Sequence, residues 1–140
     1  MEAFLHGQCK LFSNICITEH WLTDLESESL AIENYNVTSS FSRTDGNGGF
    51  LILTHGTCNC TDLQNLSILS QESFCEVSAV LSASINLVIA NVYRPPKSKF
   101  NEFLESMNDV LRSINVLDKN VVVGGEFNVS FTKYDPNYNE

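Results

Sequence analysis

The chain has 140 residues, of which 43% are hydrophobic and 18% are charged. This composition suits one folded domain with a buried core and excludes a disordered tail or a coiled coil. Eight basic residues against 17 acidic ones give a net charge of −9, without the basic stripe that nucleic-acid-binding surfaces usually present. The charge therefore permits a metal site and disfavours DNA as a partner.

The N-terminus and the cysteines bear on the compartment. The first ten residues carry neither a basic head nor a continuous apolar stretch, so we expect an intracellular protein, nuclear or cytoplasmic, rather than a secreted one. No apolar run reaches the roughly 18 residues of a membrane span, so no membrane association is predicted. An odd count of five cysteines favours free thiols. His55, Cys58 and Cys60 lack zinc-finger spacing, so residues 55–67 are predicted to form a polar loop.

The first predicted elements are a strand and a short helix. Residues 12–17 form an apolar run that indicates a buried strand, and Glu19 follows at its C-terminal end. Thr23 and Glu26 fit a capping box, which predicts a helix that runs to about Ile32. Trp21, between these two elements, is expected in the core.

A β-hairpin is predicted next. Residues 35–41 are rich in β-branched and aromatic side chains, and residues 50–53 are apolar. The glycine-rich segment 44–49 between them is more typical of a hairpin turn than of a phosphate cradle, because no helix follows it.

Two longer strands follow at residues 72–81 and 85–93, and the short link 82–84 indicates that they pair antiparallel. Within the first of them, Glu76 is expected at a solvent-facing position. Pro95 and Pro96 end the second strand, since proline cannot donate to a sheet ladder.

The last predicted elements are a helix and a strand. Ser98 is the expected N-cap, and apolar side chains at helical spacing give the helix one apolar face: Phe100, Phe103, Leu104, Met107, Leu111 and Ile114. A buried strand at 121–123 ends in Gly124 and Gly125, which we expect to allow close backbone approach. Residues 132–140 are expected to be a loose tail. These elements predict a mixed sheet in an α/β or α+β layered domain.

Polar side chains that suit phosphate and metal chemistry follow three of the predicted strands: Glu19, Tyr93, Arg94, Glu126 and Asn128. Strand ends at one edge of a layered fold are where sites assemble. Magnesium prefers one or two carboxylates together with water and substrate phosphate oxygens. Arg94 has two interpretations, a contact with phosphate or an ion pair with one of the many carboxylates.

Four segments in order make the interpretation specific. The sequence carries Ile-Thr-Glu-His-Trp-Leu at 17–22, Gly-Gly-Phe at 48–50, Val-Tyr-Arg-Pro-Pro at 92–96 and Val-Gly-Gly-Glu-Phe-Asn at 123–128. This ordered set resembles the endonuclease/exonuclease/phosphatase superfamily, and more narrowly the reverse transcriptase-associated endonuclease domain of jockey-type non-LTR retrotransposons. The resemblance covers nearly the whole chain.

The resemblance implies a fold of two packed β-sheets, a β-sandwich flanked by helices. It implies a hydrolase that cleaves phosphodiester or phosphomonoester bonds with Mg²⁺ or Mn²⁺. Residue by residue, Glu19 matches the metal-binding Glu, Tyr93 a residue that contacts the scissile phosphate, and Asn128 the Asn that helps to hold phosphate and water. Glu126 stands where the family has an Asp that orients or deprotonates the attacking water.

Three departures argue against activity. Glu126 is one methylene longer than the family's Asp, and a misplacement of about 1 Å can cost on the order of a hundredfold in rate. The family's opening strand, with its Asn, and its closing Ser-Asp-His segment have no counterpart in this sequence. We therefore expect residues 1–140 to form a single, partial domain, truncated at both ends. The alternatives are a non-catalytic remnant or interaction module, for which no protein partner is indicated, and a superfamily phosphatase for a small phosphate substrate.

Overall fold

The computed structural model describes residues 12–44 and 46–129. Within them the chain forms seven strands and three α-helices: β1 (Asn14–Thr18), α1 (Asp24–Glu28), β2 (Tyr35–Phe41), β3 (Phe50–His55), β4 (Cys60–Asp62), α2 (Gln64–Ser67), β5 (Glu76–Ser82), β6 (Leu87–Tyr93), α3 (Phe100–Asn115) and β7 (Asn120–Glu126). A 3₁₀ turn at Ala83–Ile85 joins β5 to β6. The predicted tail at 132–140 lies outside the described residues.

The strands form two sheets that pack on each other. The first sheet has the order β1-β3-β2 and is antiparallel; the second has the order β4-β5-β6-β7, in which only β6 and β7 are parallel. Strands β1, β2 and β3 lie against β5, β6 and β7. Helix α3 makes the crossover between the parallel pair, as a parallel connection requires. This is the predicted layered β-sandwich flanked by helices.

The largest apolar cluster lies between the second sheet and α3. It joins alternate residues of β5 and β6 to one face of the helix: Val77, Ala79, Val88, Ala90, Val92, Phe103, Met107, Val110 and Ile114. The helical face was predicted in part. Phe100, Leu104 and Leu111 are exposed, and Val110 takes a core position that the prediction left out. A smaller cluster covers the outer side of the first sheet with Ile32, Tyr35, Leu51 and Leu53.

Several local predictions are confirmed. The Thr23–Glu26 capping box is formed by both side chains, β2 and β3 pair as the predicted hairpin, and β5 and β6 pair antiparallel. Helix α1 ends at Glu28 rather than near Ile32, because Ser29 already closes the last turn with its backbone amide.

Strand β7 is not the buried strand predicted at 121–123. Val121 is 40% exposed and Val122 is 54% exposed, because β7 lies at the edge of its sheet.

Two other local predictions are also wrong. Lys99, not Ser98, occupies the N-cap of α3, since the Ser98 hydroxyl donates to the Pro95 carbonyl instead. The segment predicted as a polar loop at 55–67 contains β4 and α2. Strand β4 has no apolar signature of its own, and pairing with β5 makes it a strand.

Among the residues that the structure describes, no helix has the length and apolar character needed to cross a membrane.

Candidate functional site

A row of three polar side chains crosses one end of the second sheet. Glu76 at the start of β5 pairs with Tyr93 at the end of β6, and Tyr93 pairs with Glu126 at the end of β7. Paired residues on neighbouring strands project from the same face of a sheet. The row therefore places one carboxylate on each side of the Tyr93 phenol, on the face of the second sheet that packs against the first sheet.

Glu19 joins this row from the first sheet. It follows β1, and the Tyr93 hydroxyl donates a 2.5 Å hydrogen bond to Glu19 Oε1. Thr18, the last residue of β1, donates from its hydroxyl to Glu126 Oε2 over 3.3 Å. The structure thus brings Glu19, Tyr93 and Glu126 to one edge, where the two sheets meet.

The backbone around Glu19 is held in an uncommon conformation. Glu19 has φ 55° and Trp21 has φ 59°, in the left-handed region that side chains other than glycine seldom adopt. The Trp21 amide donates to the Gly48 carbonyl over 2.9 Å, which fixes the turn against the hairpin. Such local strain persists only where surrounding contacts determine it, and it clusters at functional sites.

His20 anchors the same turn. Its Nδ1 accepts from the Leu22 amide at 2.9 Å, so its Nε2 donates to the Phe41 carbonyl at 3.1 Å. Burial lowers the pKa of His20, which keeps the ring neutral at physiological pH. A Cβ at Gly49 would lie 2.7 Å from the His20 ring. Any other residue at this position would therefore clash with the ring in its observed place.

Trp21 does not belong to the core, contrary to the prediction. Its side chain is 62% exposed, because the positive φ at Glu19 and Trp21 turns the chain outward before α1 begins.

Tyr93 is a buried hydrogen-bond donor. Burial is the main cause that raises the pKa of its phenol, and the hydrogen bond to Glu19 and the nearby charges of Glu19 and Glu126 raise it further, while Arg43 opposes them. The phenol therefore stays protonated at neutral pH and holds the Glu19 carboxylate in place.

Glu76, at one end of the row, forms an ion pair that sequence reasoning missed. Glu76 is fully buried rather than solvent-facing, and Arg43 Nε lies 2.7 Å from Glu76 Oε1. The Arg43 guanidinium also lies 5.4 Å from the centre of the Tyr93 ring. Burial raises the pKa of Glu76, and the hydrogen bond from Arg43 opposes that rise. No local signal marks Glu76 as buried, because alternation along β5 does not reveal that both faces of the sheet are covered.

Arg94 and Asn128 are linked by reciprocal hydrogen bonds from each side chain to the other's backbone carbonyl, a pair that we call the clasp. Arg94 donates to the carbonyls of Asn128 (3.0 Å), Phe127 (3.5 Å) and Ser98 (2.6 Å), and its guanidinium lies over the Phe100 ring. Asn128 Nδ2 donates to the Arg94 carbonyl over 2.7 Å, and Asn128 has φ 49°.

These hydrogen bonds show what Arg94 contacts within the protein. Its side chain is buried, and within the described part of the chain its hydrogen bonds go to carbonyl oxygens, not to carboxylates. The guanidinium lies against α3, over the rings of Phe100 and Phe103. The phosphate contacts of Arg94 and Asn128 stay predictions, and the observed geometry shows how the two residues fix the segment that follows Glu126.

Gly125 sets the position of Glu126. Gly125 has φ 136°, and a Cβ there would lie 1.9 Å from the Val92 carbonyl oxygen, whereas one at Gly124 would meet nothing within 4 Å. The expected close backbone approach is therefore confirmed for Gly125 alone. It lets β7 pair closely with β6 one residue before Glu126.

The donor set suits a hard divalent cation. Residues 12–44 and 46–129 contain no cluster of three or more His, Cys, Asp or Glu side chains that could enclose a metal. Magnesium does not need one, since one or two carboxylates with water and substrate oxygens suffice. Within those residues, the protein hydrogen bonds to Glu19 and Glu126 engage one oxygen of each carboxylate.

Comparison with known proteins bears on the fold. No protein-family model and no curated protein matches the sequence. Among solved structures, the chain is similar to the endonuclease domain of TRAS1, a telomere-specific non-LTR retrotransposon, with a TM-score of 0.63 and 17% sequence identity. The match covers 94% of this chain and 53% of that one. The chain therefore has the fold of a retrotransposon endonuclease domain over about half of that domain's length, as the resemblance of its motifs implied.

Proposed function

We propose that this chain, with its retrotransposon-endonuclease fold, is a metal-dependent phosphodiesterase module that nicks DNA. One observation carries the proposal: Glu19 from the first sheet and Glu126 from the second meet at the Tyr93 phenol. A phosphodiesterase needs an anionic ligand for a cation and a second carboxylate that positions water. The junction of the two sheets supplies both.

Each residue has a task in this proposal. Glu19 would hold Mg²⁺ or Mn²⁺, which when bound neutralises charge on phosphoryl oxygens. Tyr93 keeps the Glu19 carboxylate oriented by donating to it. Glu126, steadied by Thr18, would orient an attacking water and accept its proton. Asn128 would present its amide oxygen to that water.

Plasmid nicking tests the proposal. Incubation of supercoiled plasmid with the protein and Mg²⁺ is expected to yield open circles, and Glu19→Ala is expected to abolish them. Glu102→Ala is the matched control, because it removes a carboxylate of α3 whose ion pair within residues 12–44 and 46–129 is with exposed Lys99. Absence of nicking at high protein concentration, or equal nicking by Glu19→Ala, would count against the proposal.

A second candidate, a non-catalytic interaction module, is favoured by the clasp. Arg94 and Asn128 donate hydrogen bonds to each other's backbone carbonyls, so both side chains are engaged within the protein. Metal-dependent turnover that is lost in Glu19→Ala would exclude this candidate.

A further inference from the structure

An exposed indole stands beside the candidate site. Trp21 lies two residues after Glu19 and is 62% exposed, and it is the sole tryptophan of the sequence. Tryptophan is large and usually well buried. Its planar face is the surface on which nucleobases stack.

Hydrogen bonds fix the backbone of the turn that carries this indole. The Trp21 amide donates to the Gly48 carbonyl. The ring of His20, the residue before Trp21, accepts from the Leu22 amide and donates to the Phe41 carbonyl. The same turn carries the Glu19 carboxylate, so the distance between carboxylate and indole is set by short backbone. Because the backbone that carries Trp21 is already fixed, the turn itself loses little conformational freedom when a ligand binds.

The charge of the chain makes such a platform useful. A net charge of −9 opposes attraction of a phosphate backbone, which normally supplies most of the affinity for nucleic acid. Stacking of a base on an aromatic ring does not depend on the protein's net charge, and it works with any base because each has a π face. A base can stack on a protein side chain only when it has left the duplex stack.

We propose that Trp21 is a stacking platform for an unpaired nucleobase adjoining the phosphodiester that Glu19 engages. This inference rests on the proposed function and narrows its substrate to DNA with an unstacked base beside the cleaved bond. Trp21 then sets specificity, while Glu19 and Glu126 serve the chemistry.

The single tryptophan makes the test direct. The full chain is titrated at low salt with short oligothymidylate and with an abasic oligomer of the same length and charge, while tryptophan fluorescence is recorded. Oligothymidylate is expected to quench the emission and the abasic oligomer is not. Unchanged emission with both, or equal quenching by both, would overturn the proposal and leave a protein partner as the occupant of Trp21.

Variants provide the second measurement, anisotropy of a labelled oligothymidylate. Trp21→Ala is expected to weaken binding by about 5- to 100-fold, the range for loss of one stacked base, and Trp21→Phe by much less. Ile85→Ala is the matched control, since Ile85 is 61% exposed but lies at the opposite end of β6 from Tyr93. Equal binding by Trp21→Ala and Ile85→Ala would contradict the inference.

The two proposals fail separately. Quenching by oligothymidylate without plasmid nicking would refute the phosphodiesterase and keep the stacking platform. Plasmid nicking without fluorescence quenching, and with Trp21→Ala as active as the parent chain, would refute the stacking platform and keep the phosphodiesterase.

Discussion

The two faces of the second sheet differ although the same strands build both. Toward α3, β5 and β6 present only apolar side chains: Val77, Ala79, Val88, Ala90 and Val92. Toward the first sheet they present Glu76, Ser78, Asn91 and Tyr93, all buried. Alternation along a strand thus separates two tasks. The helix-facing side stabilises the domain, and the inward side holds the candidate site.

The inward face carries buried polar groups that lower the stability of the domain. Ser78 Oγ, Asn91 Oδ1 and Glu76 Oε2 are buried there without a hydrogen-bond partner among the described residues, and an unsatisfied buried group costs about 1–3 kcal/mol. Asn91 Nδ2, by contrast, donates to the Ile17 carbonyl of the first sheet over 3.1 Å. The comparison predicts that substitutions on the two faces act on stability in different ways.

Truncation on the helix-facing side should have the largest effect. Phe103→Ala is expected to reduce the free energy of unfolding by about 3–5 kcal/mol, because a buried aromatic ring leaves a cavity. Urea denaturation followed by circular dichroism measures the loss. Leu104→Ala, the exposed neighbour, should change stability by less than about 1 kcal/mol. Equal losses would mean that α3 does not pack as described.

Breaking the Arg43–Glu76 ion pair on the inward side should have the second largest effect on stability. Arg43→Ala leaves the Glu76 carboxylate buried without its cation, and we expect the free energy of unfolding to fall by about 3 kcal/mol. This is the low end of the range for a broken buried ion pair, because Glu76 can take up a proton. Lys99→Ala breaks an exposed pair with Glu102 and should cost less than about 1 kcal/mol. The same denaturation experiment compares them, and a cost for Arg43→Ala no larger than for Lys99→Ala would contradict burial of the pair.

The titration of Glu76 gives a smaller, pH-dependent effect. Burial raises its pKa above the ordinary 4.5, so above pH 4.5 the folded chain binds more protons than the unfolded chain. Stability contributed by Glu76 must then fall as pH rises from 4.5 toward the raised pKa, with a slope of at most about 1.4 kcal/mol per pH unit.

Glu76→Gln should remove that slope. Unfolding free energies measured from pH 4.5 to 7 would show it, with Glu102→Gln as the exposed control. An unchanged profile in Glu76→Gln would mean that the carboxyl is not desolvated.

Ser78→Ala should have the smallest effect and the opposite sign. Removing a buried hydroxyl that lacks a partner is expected to stabilise the domain by about 1 kcal/mol. A rise in the midpoint of thermal unfolding measures it. A fall instead would show that Ser78 has a hydrogen-bond partner that the inward face needs.

The sequence sufficed where local chemistry decides the structure. The Thr23–Glu26 box, the β2–β3 hairpin and the β5–β6 pair each follow from residues close together in the chain. The meeting of Glu19 and Glu126 at one edge could be predicted only with the ordered motifs. Glu19 follows a strand of the first sheet, whereas Glu126 ends a strand of the second.

Positions decided by tertiary packing were not predictable. Strand β4 forms because β5 offers an edge, and Glu76 is buried because the first sheet covers it and Arg43 compensates its charge. Trp21 looked like a core residue by composition, yet two left-handed residues direct it outward. Arg94 is held by carbonyl oxygens and by the Phe100 ring, contacts that its neighbours in the sequence do not reveal.

Titration with Mn²⁺, followed by the electron paramagnetic resonance signal of the free ion, tests most directly whether the two sheets build one cation and phosphate site. We expect that the parent chain binds Mn²⁺, that Glu19→Gln weakens binding at least about tenfold, and that Glu126→Gln weakens it about threefold through the loss of a nearby charge. Glu102→Gln should bind like the parent. Binding by Glu19→Gln that equals that of the parent chain would contradict the account.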